Sequence, residues 1–399
     1  MNYSYDIIVI GNGMVGASIS NALSTLPLRI AMIDRNPCKI KIGATELSDG
    51  RKIALSFASY KILKKLGIWE HCQHHVTKIQ QIQISQKNTF GAVRLKAKEM
   101  SVEPLGYVIA AEKLRQALDA NLAHQNIDWF HQVTLLAINP GKHNTICIKQ
   151  NKQQKTLSAK LIIAADGALS PSRRLLNIST MEKDYQQTAL VSSVYVTQAT
   201  KHIAYQRFLG NAILAMLPME QQRYGVIYTA PTKHAKALYA LDDAALLNEL
   251  QQQFGYRLGQ LQQLGKRFTY PLKMIIAERQ IGPGFILLGN AAHSISPLAA
   301  QGFNLALQDI YCLYRLLQTH KNNYDLILNL YQQQRQHEQR RIINFTDRLT
   351  RFHTTKHDML TAAALIGIDL LPNIKKHLTQ LGMGLTPQIQ TLLREPYAN

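Results

Sequence analysis

Apolar positions recur along this chain in two rhythms. Tyr5–Ile10 is apolar apart from Asp6, the pattern of a strand covered on both faces. A glycine turn follows, then helical spacing over Met14–Leu26 and a second short strand at Arg29–Asp34, which together make a βαβ opening. Pro37 to Gly50 is a polar connection. Ile53–Gly67 places Leu55, Ala58, Ile62, Leu63 and Leu66 on one helical face and predicts a helix closed by Gly67. Thr77–Ser85 alternates like a strand with a shift in register, and Ala111–Gln125 has the spacing of an amphipathic helix. Thr134–Ile138, Thr145–Lys149 and Leu157–Ala165 read as successive strands.

Beyond Ala189 short strand-like runs dominate: Ala189–Val196, Ile203–Phe208, Ile213–Leu217 and Tyr224–Tyr228. They predict a β-rich insert, a sheet suited to carrying a substrate. Ala244–Phe254 is helical, Phe285–Gly289 is a buried strand, and Gly302–Thr319 and Leu326–His353 are long helices. Met359–Leu371 is the most apolar helix candidate of the tail. With no internal repeat and no low-complexity linker, cofactor and substrate regions are expected to interleave.

Two glycine-rich segments carry the chemistry. In the first, Gly11 permits a tight turn, Gly13 lets the backbone approach a pyrophosphate, and Gly16 allows close helix–strand packing. The helix start at Met14 and Val15 then faces the phosphates. Asp34, followed by Arg35, ends the second strand where a ribose 2′-OH is accepted. The second segment runs from Gly289 and Asn290 through His293 and Pro297 to Gln301, Gly302, Phe303 and Asn304. It repeats the strand–glycine–helix logic, with Asn290 suited to a ribityl hydroxyl and the new helix start suited to negative charge on a reduced ring. Segments so far apart in the chain suggest one long cofactor held at both ends, FAD rather than NAD.

Between them lie two weaker signals. Arg51, read as standing at a helix start, either reaches the pyrophosphate or ribityl region or is a solvated surface residue. Asp166 and Gly167 form a turn after an apolar strand, raised in interest by Ser170 and Arg173 at the strand's carboxyl end. His293 reads as a packed loop histidine before it reads as an acid–base group or a ligand.

The bulk numbers narrow the class. A chain of 399 residues suggests one large composite domain or two domains. Cys38, Cys72, Cys147 and Cys312 are scattered without ligand spacing, so neither a disulfide framework nor a zinc site is expected, and a reducing cytoplasm fits. No signal peptide and no spanning helix is read. Lys and Arg number 45 against 25 Asp and Glu, a formal charge of +20. Without a basic run or a nucleic-acid motif this excludes nucleic acid as the partner and leaves an anionic membrane surface as one reading of the charge. The other is charge spread over solvated faces.

In this order and spacing, the four segments resemble the single-component flavoprotein aromatic hydroxylases over nearly the whole chain. The closer likeness is to the ubiquinone-biosynthesis hydroxylases, in particular those acting on a 2-polyprenyl-6-methoxyphenol. It is carried by Asp49–Ser56, Lys65–Trp69, Gln206–Phe208, Ala215–Pro218, Tyr270–Leu272 and Gly289–Ala292. Asn290 stands where the wider family has Asp, as in that branch. Ala300 stands where Gly is usual, and Ser296 where His often precedes the proline.

The resemblance implies an α/β fold: a Rossmann-like FAD-binding domain of the aromatic-hydroxylase type, an interleaved β-rich substrate domain and C-terminal helices. The expected division gives 1–75, 106–180 and 276–355 to FAD binding, 76–105 and 181–275 to the substrate, and 356–399 to the tail. It further implies FAD reduced by NAD(P)H or a separate electron donor, O2 as co-substrate, and a C4a-hydroperoxyflavin that hydroxylates a polyprenylated phenol. Pro297, Gln301 and Gly302 are expected along the flavin ring. Hydroxylation at another ring position, or a prenyl reductase of the same fold, stays open. So do peripheral contact with the inner membrane, for which Met359–Leu371 is either a contact or an ordinary core helix, and contact with other ubiquinone-biosynthesis proteins.

Overall fold

The strand Tyr5–Ile10 (β1) is apolar throughout its inner length because both of its faces are covered. Ile7 and Val9 enter one core cluster with Ile19, Leu118 and Leu313, while Ile8 and Ile10 enter another with Ile146, Ile162 and Leu287. Each such side chain withdrawn from water contributes about 1.5–3 kcal/mol. The computed structural model describes residues 4–37, 50–122, 127–141, 144–200, 202–295, 301–352 and 365–394.

β1 lies at the centre of an eight-stranded sheet. It pairs in parallel with Ile30–Ile33 (β2) on one side and with Gln153–Ala164 on the other. Phe285–Leu287 and Ile127–Phe130 extend the parallel array outward. Helix Met14–Leu23 (α1) follows β1 directly and packs against the long helix Gln301–His320 and against Ala111–Leu122. A second, nine-stranded and largely antiparallel sheet is built around Thr180–Val196, which pairs with Arg223–Pro231 and Phe268–Ala277. Helices Thr232–Ala240 and Asp243–Phe254 cover one of its faces, closing a core of Val194, Tyr228, Leu246 and Phe254.

Several sequence expectations need correction. The helix expected over Ile53–Gly67 begins only at Phe57. Lys52–Ser56 (β3) is a strand, antiparallel to Gly106–Ala110 in a three-stranded sheet. Ile53 and Leu55 satisfy a strand's period of two as well as a helix's, and cross-strand pairing decides. Ser56 then caps the helix Phe57–Lys65 (α2) by accepting from Ser59 N. Arg51 therefore precedes a strand, not a helix. Thr77–Ser85 is two strands, Val76–Ile79 in the small sheet and Gln81–Gln86 in the large one. The strand expected at Ala189–Val196 starts at Thr180. Of Met359–Leu371 only the part from Leu365 is described, helical over 365–370. Most of the connection from Pro37 to Gly50 also lies outside the described residues. No described helix is long and apolar enough to cross a membrane.

Candidate functional site

The carboxyl ends of β1, β2, Gln153–Ala164 and Phe285–Leu287 converge on one edge of the parallel sheet. Ala165 N donates to Ile10 O, and Leu288 N donates to Ala164 O. The loops leaving these strands are thereby held side by side, where doubly wound sheets present ligands.

The first glycine loop is shaped by two different demands. A Cβ at Gly16 would lie 1.7 Å from Gly11 O, so packing alone requires glycine there. A Cβ at Gly13 would meet no atom within 4 Å. Gly13 is also the N-cap of α1 and supplies no capping side chain. The loop thus leaves room at the position where first-turn N–H groups favour an anion. Met14 and Val15, half-buried, pack back onto the core. Asp34 accepts from Asn12 N and Asn36 N, which places its carboxylate beside the loop. Asn12 Oδ1 is buried without a hydrogen-bond partner among the described residues. Arg35 is exposed. An open cradle, a helix start and a carboxylate at the second strand fit a dinucleotide.

Three further contacts tie the remaining loops to this one. A Cβ at Gly289, whose φ is +58°, would press on the Val15 side chain at 2.7 Å, so the second glycine segment touches the first. Asp166 accepts from Ser170 Oγ and Ser172 N, capping the short helix Pro171–Leu175. Arg173, buried in that helix, donates to Ala168 O at 2.7 Å and to Ala291 O at 2.9 Å. The Asp166–Gly167 turn and the Gly289–Ala291 turn are clamped together by one guanidinium. Asn290 is exposed beside it.

Gln301, Gly302, Phe303 and Asn304 form the first turn of the Gln301–His320 helix. Asn304 is buried, and its side chain faces protein. Oδ1 accepts from Ser56 N at 2.9 Å and Ser59 Oγ at 2.7 Å, and Nδ2 donates to Ala54 O at 2.9 Å. It locks the helix start to β3 and α2. Gln301 and Gly302 are half-exposed, and Phe303 packs on the core. Pro297, Ser296 and Ala300 lie outside the described residues. The Arg51 guanidinium lies 6.0 Å from the Tyr270 ring centroid on the second sheet.

His293 is packed, as expected, but in a strand rather than a loop. It lies in a two-residue strand paired with Ile276, fully buried, with Nε2 2.9 Å from Asp309 Oδ2. Arg335 donates to Asp309 Oδ1 at 2.7 Å and also reaches Glu338 and Gln308. Burial alone raises a carboxyl, but Arg335 and His293 together hold Asp309 below the usual range.

Three residues of the site escaped the sequence reading. Arg115 donates to Asn12 O from 103 positions away while pairing with Asp119. Its only sequence signal was an Arg–Asp spacing of one helical turn. Asp309 and Arg335 sit inside segments read only as long helices.

A family model described as FAD binding domain matches residues 4–346. Among relatives, the uncharacterised protein slr1300 of Synechocystis sp. is 30% identical over 97% of this chain and 95% of its own length. The protein of Neisseria meningitidis named ubiquinone hydroxylase UbiM is 28% identical over 79% of this chain and 69% of its own. Among solved structures, p-nitrophenol 4-monooxygenase PnpA of Pseudomonas putida superposes with a TM-score of 0.77 at 14% identity, covering 97% of this chain and all of that one.

Proposed function

The chain belongs to the FAD binding domain family, and from that premise we propose that it hydroxylates the aromatic ring of a polyprenylated phenol in ubiquinone biosynthesis. The specific step proposed is 2-polyprenyl-6-methoxyphenol to the 1,4-benzoquinol, with NAD(P)H or a separate donor supplying electrons. One observation carries the reading. The segment leaving Phe285–Leu287 touches the dinucleotide loop at Gly289 and is already part of the second sheet at His293. A ligand held by this segment is held between the two sheets, one suited to a nucleotide and the other to a ring. The name of the Neisseria relative adds the substrate class.

In this reading Gly11, Gly13, Met14, Val15 and Gly16 seat the pyrophosphate, with Asp34 and Arg35 at the adenosine ribose. Asp166, Gly167, Gly289 and Asn290 hold the middle of the cofactor, with Arg51, immediately before β3, beside them. Gln301, Gly302, Phe303 and Asn304, with Pro297, present the helix start to the ring. FAD, when bound, supplies the activation of O2. The protein's work is positional: the helix start stabilises negative charge, the clamp at Arg173 fixes the loops, and the face of the second sheet carrying Ile227 and Tyr270 orients an apolar ring and keeps water away.

Deleting the gene in its own host and profiling quinone precursors by mass spectrometry tests this. Accumulation of a polyprenyl-methoxyphenol, cured by the wild-type gene and not by a Gly13→Trp variant, is the expected result. A different accumulated ring intermediate would move the position of hydroxylation, and unchanged ubiquinone would remove the pathway assignment.

A further inference from the structure

The nine-stranded sheet ends in the hairpin Gln81–Gln86 and Ala92–Lys96, and the chain covers this edge in an unusual way. The helical segment 365–370 lies along it, with Asp369 accepting from Arg94 N at 3.0 Å. The hairpin turn abuts this segment, since a Cβ at Gly91 would lie 2.5 Å from Ile366 Cγ1. The seam carries large apolar side chains into solvent: among the described residues Phe90 is 94% exposed, Leu370 73%, Leu371 51% and Ile374 46%. Scattered exposed hydrophobes need no explanation, but a contiguous ridge on a hairpin tip and an adjoining helix does.

Beside the ridge lies a cavity of about 400 Å³ whose lining includes the apolar Phe90, Ile366 and Leu370, the acid Asp369 and the basic Arg207 and Arg257. Arg94, also at its wall, is engaged by Asp369, which Lys375 shares. Among the described residues neither Arg207 nor Arg257 forms a salt bridge, and Arg207 Nε is buried without a hydrogen-bond partner. Burial first, and then Arg257, push the Arg207 guanidinium below the usual arginine range. Asp369 also lines the cavity but is taken up by Arg94 and Lys375, so Arg207 and Arg257 share no acid of their own and define a site short of an anion. Arg207 shares its sheet face with Tyr205, which packs beneath helix Asp243–Phe254. The cavity therefore opens on the face that these helices cover.

We propose that this edge docks on an anionic phospholipid bilayer. The Arg207–Arg257 cavity receives a lipid phosphate, and Phe90, Leu370 and Leu371 enter the acyl boundary. The charge and the ridge are complementary to one occupant, since a headgroup offers the phosphate and the apolar layer beneath it together. The overall charge of +20 draws the chain to such a surface, and the edge sets which side faces it. The inference needs no assumption about the reaction.

Sedimentation of the FAD-loaded full chain with vesicles tests it without turnover, so failure here leaves the hydroxylase reading standing. Phosphatidylcholine vesicles containing phosphatidylglycerol should bind the protein, and phosphatidylcholine alone should bind it far more weakly. A Phe90→Ser/Leu370→Ser variant should lose roughly tenfold or more in partitioning. Arg257→Gln should lose about fivefold, while Lys155→Gln, the same charge loss at an exposed position of the other sheet, should lose less. Circular dichroism should be unchanged in all three. No binding to the anionic vesicles overturns the proposal, as does binding insensitive to these edge variants. Binding that needs Arg257 but survives loss of Phe90 and Leu370 assigns the cavity to a free anion and overturns it too. So does saturation of the cavity by inorganic phosphate without vesicle binding.

Discussion

Gly13 and Gly16 stand about one helical turn apart and answer to different forces. Gly16 is demanded by the fold, because its Cβ would overlap Gly11 O. Gly13 has open space before it, so packing does not require it, and in the proposed reading the phosphate does. Gly16→Ala should destabilise the protein by about 3 kcal/mol or more, through a forced backbone shift. Gly13→Ala should cost under about 1 kcal/mol yet purify with little flavin. Thermal melts of flavin-stripped protein, set beside flavin absorbance of the purified protein, check both. A Gly13→Ala protein with full flavin content would refute the loop as a phosphate cradle. These glycines were readable in the sequence because turn, close packing and phosphate approach are all local demands. Arg115 and Arg173 were not identified as clamps, since their partners lie 103 and 118 positions away and no local pattern encodes a tertiary hydrogen bond.

At the scale of elements, the helix Gln301–His320 is fixed at two points. Asn304 bonds it to β3 and α2, and Asp309 bonds it to His293 and Arg335. Asn304→Ala removes at least the three hydrogen bonds described and should cost about 3 kcal/mol, measured by urea unfolding; a loss near zero would show that the helix start is held by other means. Asp309 carries a pH dependence. Its folded pKa lies below the unfolded value, so its stabilisation is present above the ordinary carboxyl range and is lost as pH falls through and below that range. Asp309→Asn leaves Arg335 buried without its main counter-charge and should cost about 3–5 kcal/mol near neutrality. It should also flatten the acid limb of the melting profile; an acid limb of unchanged slope would contradict this assignment. The segment 53–67 shows why element boundaries resisted the sequence reading. Its apolar positions fit both periods, and the choice was made by Gly106–Ala110, a partner strand some fifty positions away.

At the scale of the molecule, the chain passes from one sheet to the other within Gly289–Ser294, and the proposed cofactor site lies at this crossing. This interleaving was readable as an architecture because glycine-rich segments stood near both ends of the chain. The charge was readable as a number, but its arrangement around Arg207 and Arg257 was not, since those residues come together only through sheet pairing and helix packing. The account predicts that FAD, a reduced donor and a polyprenyl-methoxyphenol are jointly required for turnover, with oxygen uptake tightly coupled to substrate. The most direct measurement is mass spectrometry of the product formed by purified enzyme under isotopically heavy dioxygen. The account predicts one heavy oxygen atom on the aromatic ring. A product altered only in its prenyl chain, or a ring oxygen drawn from water, would contradict it.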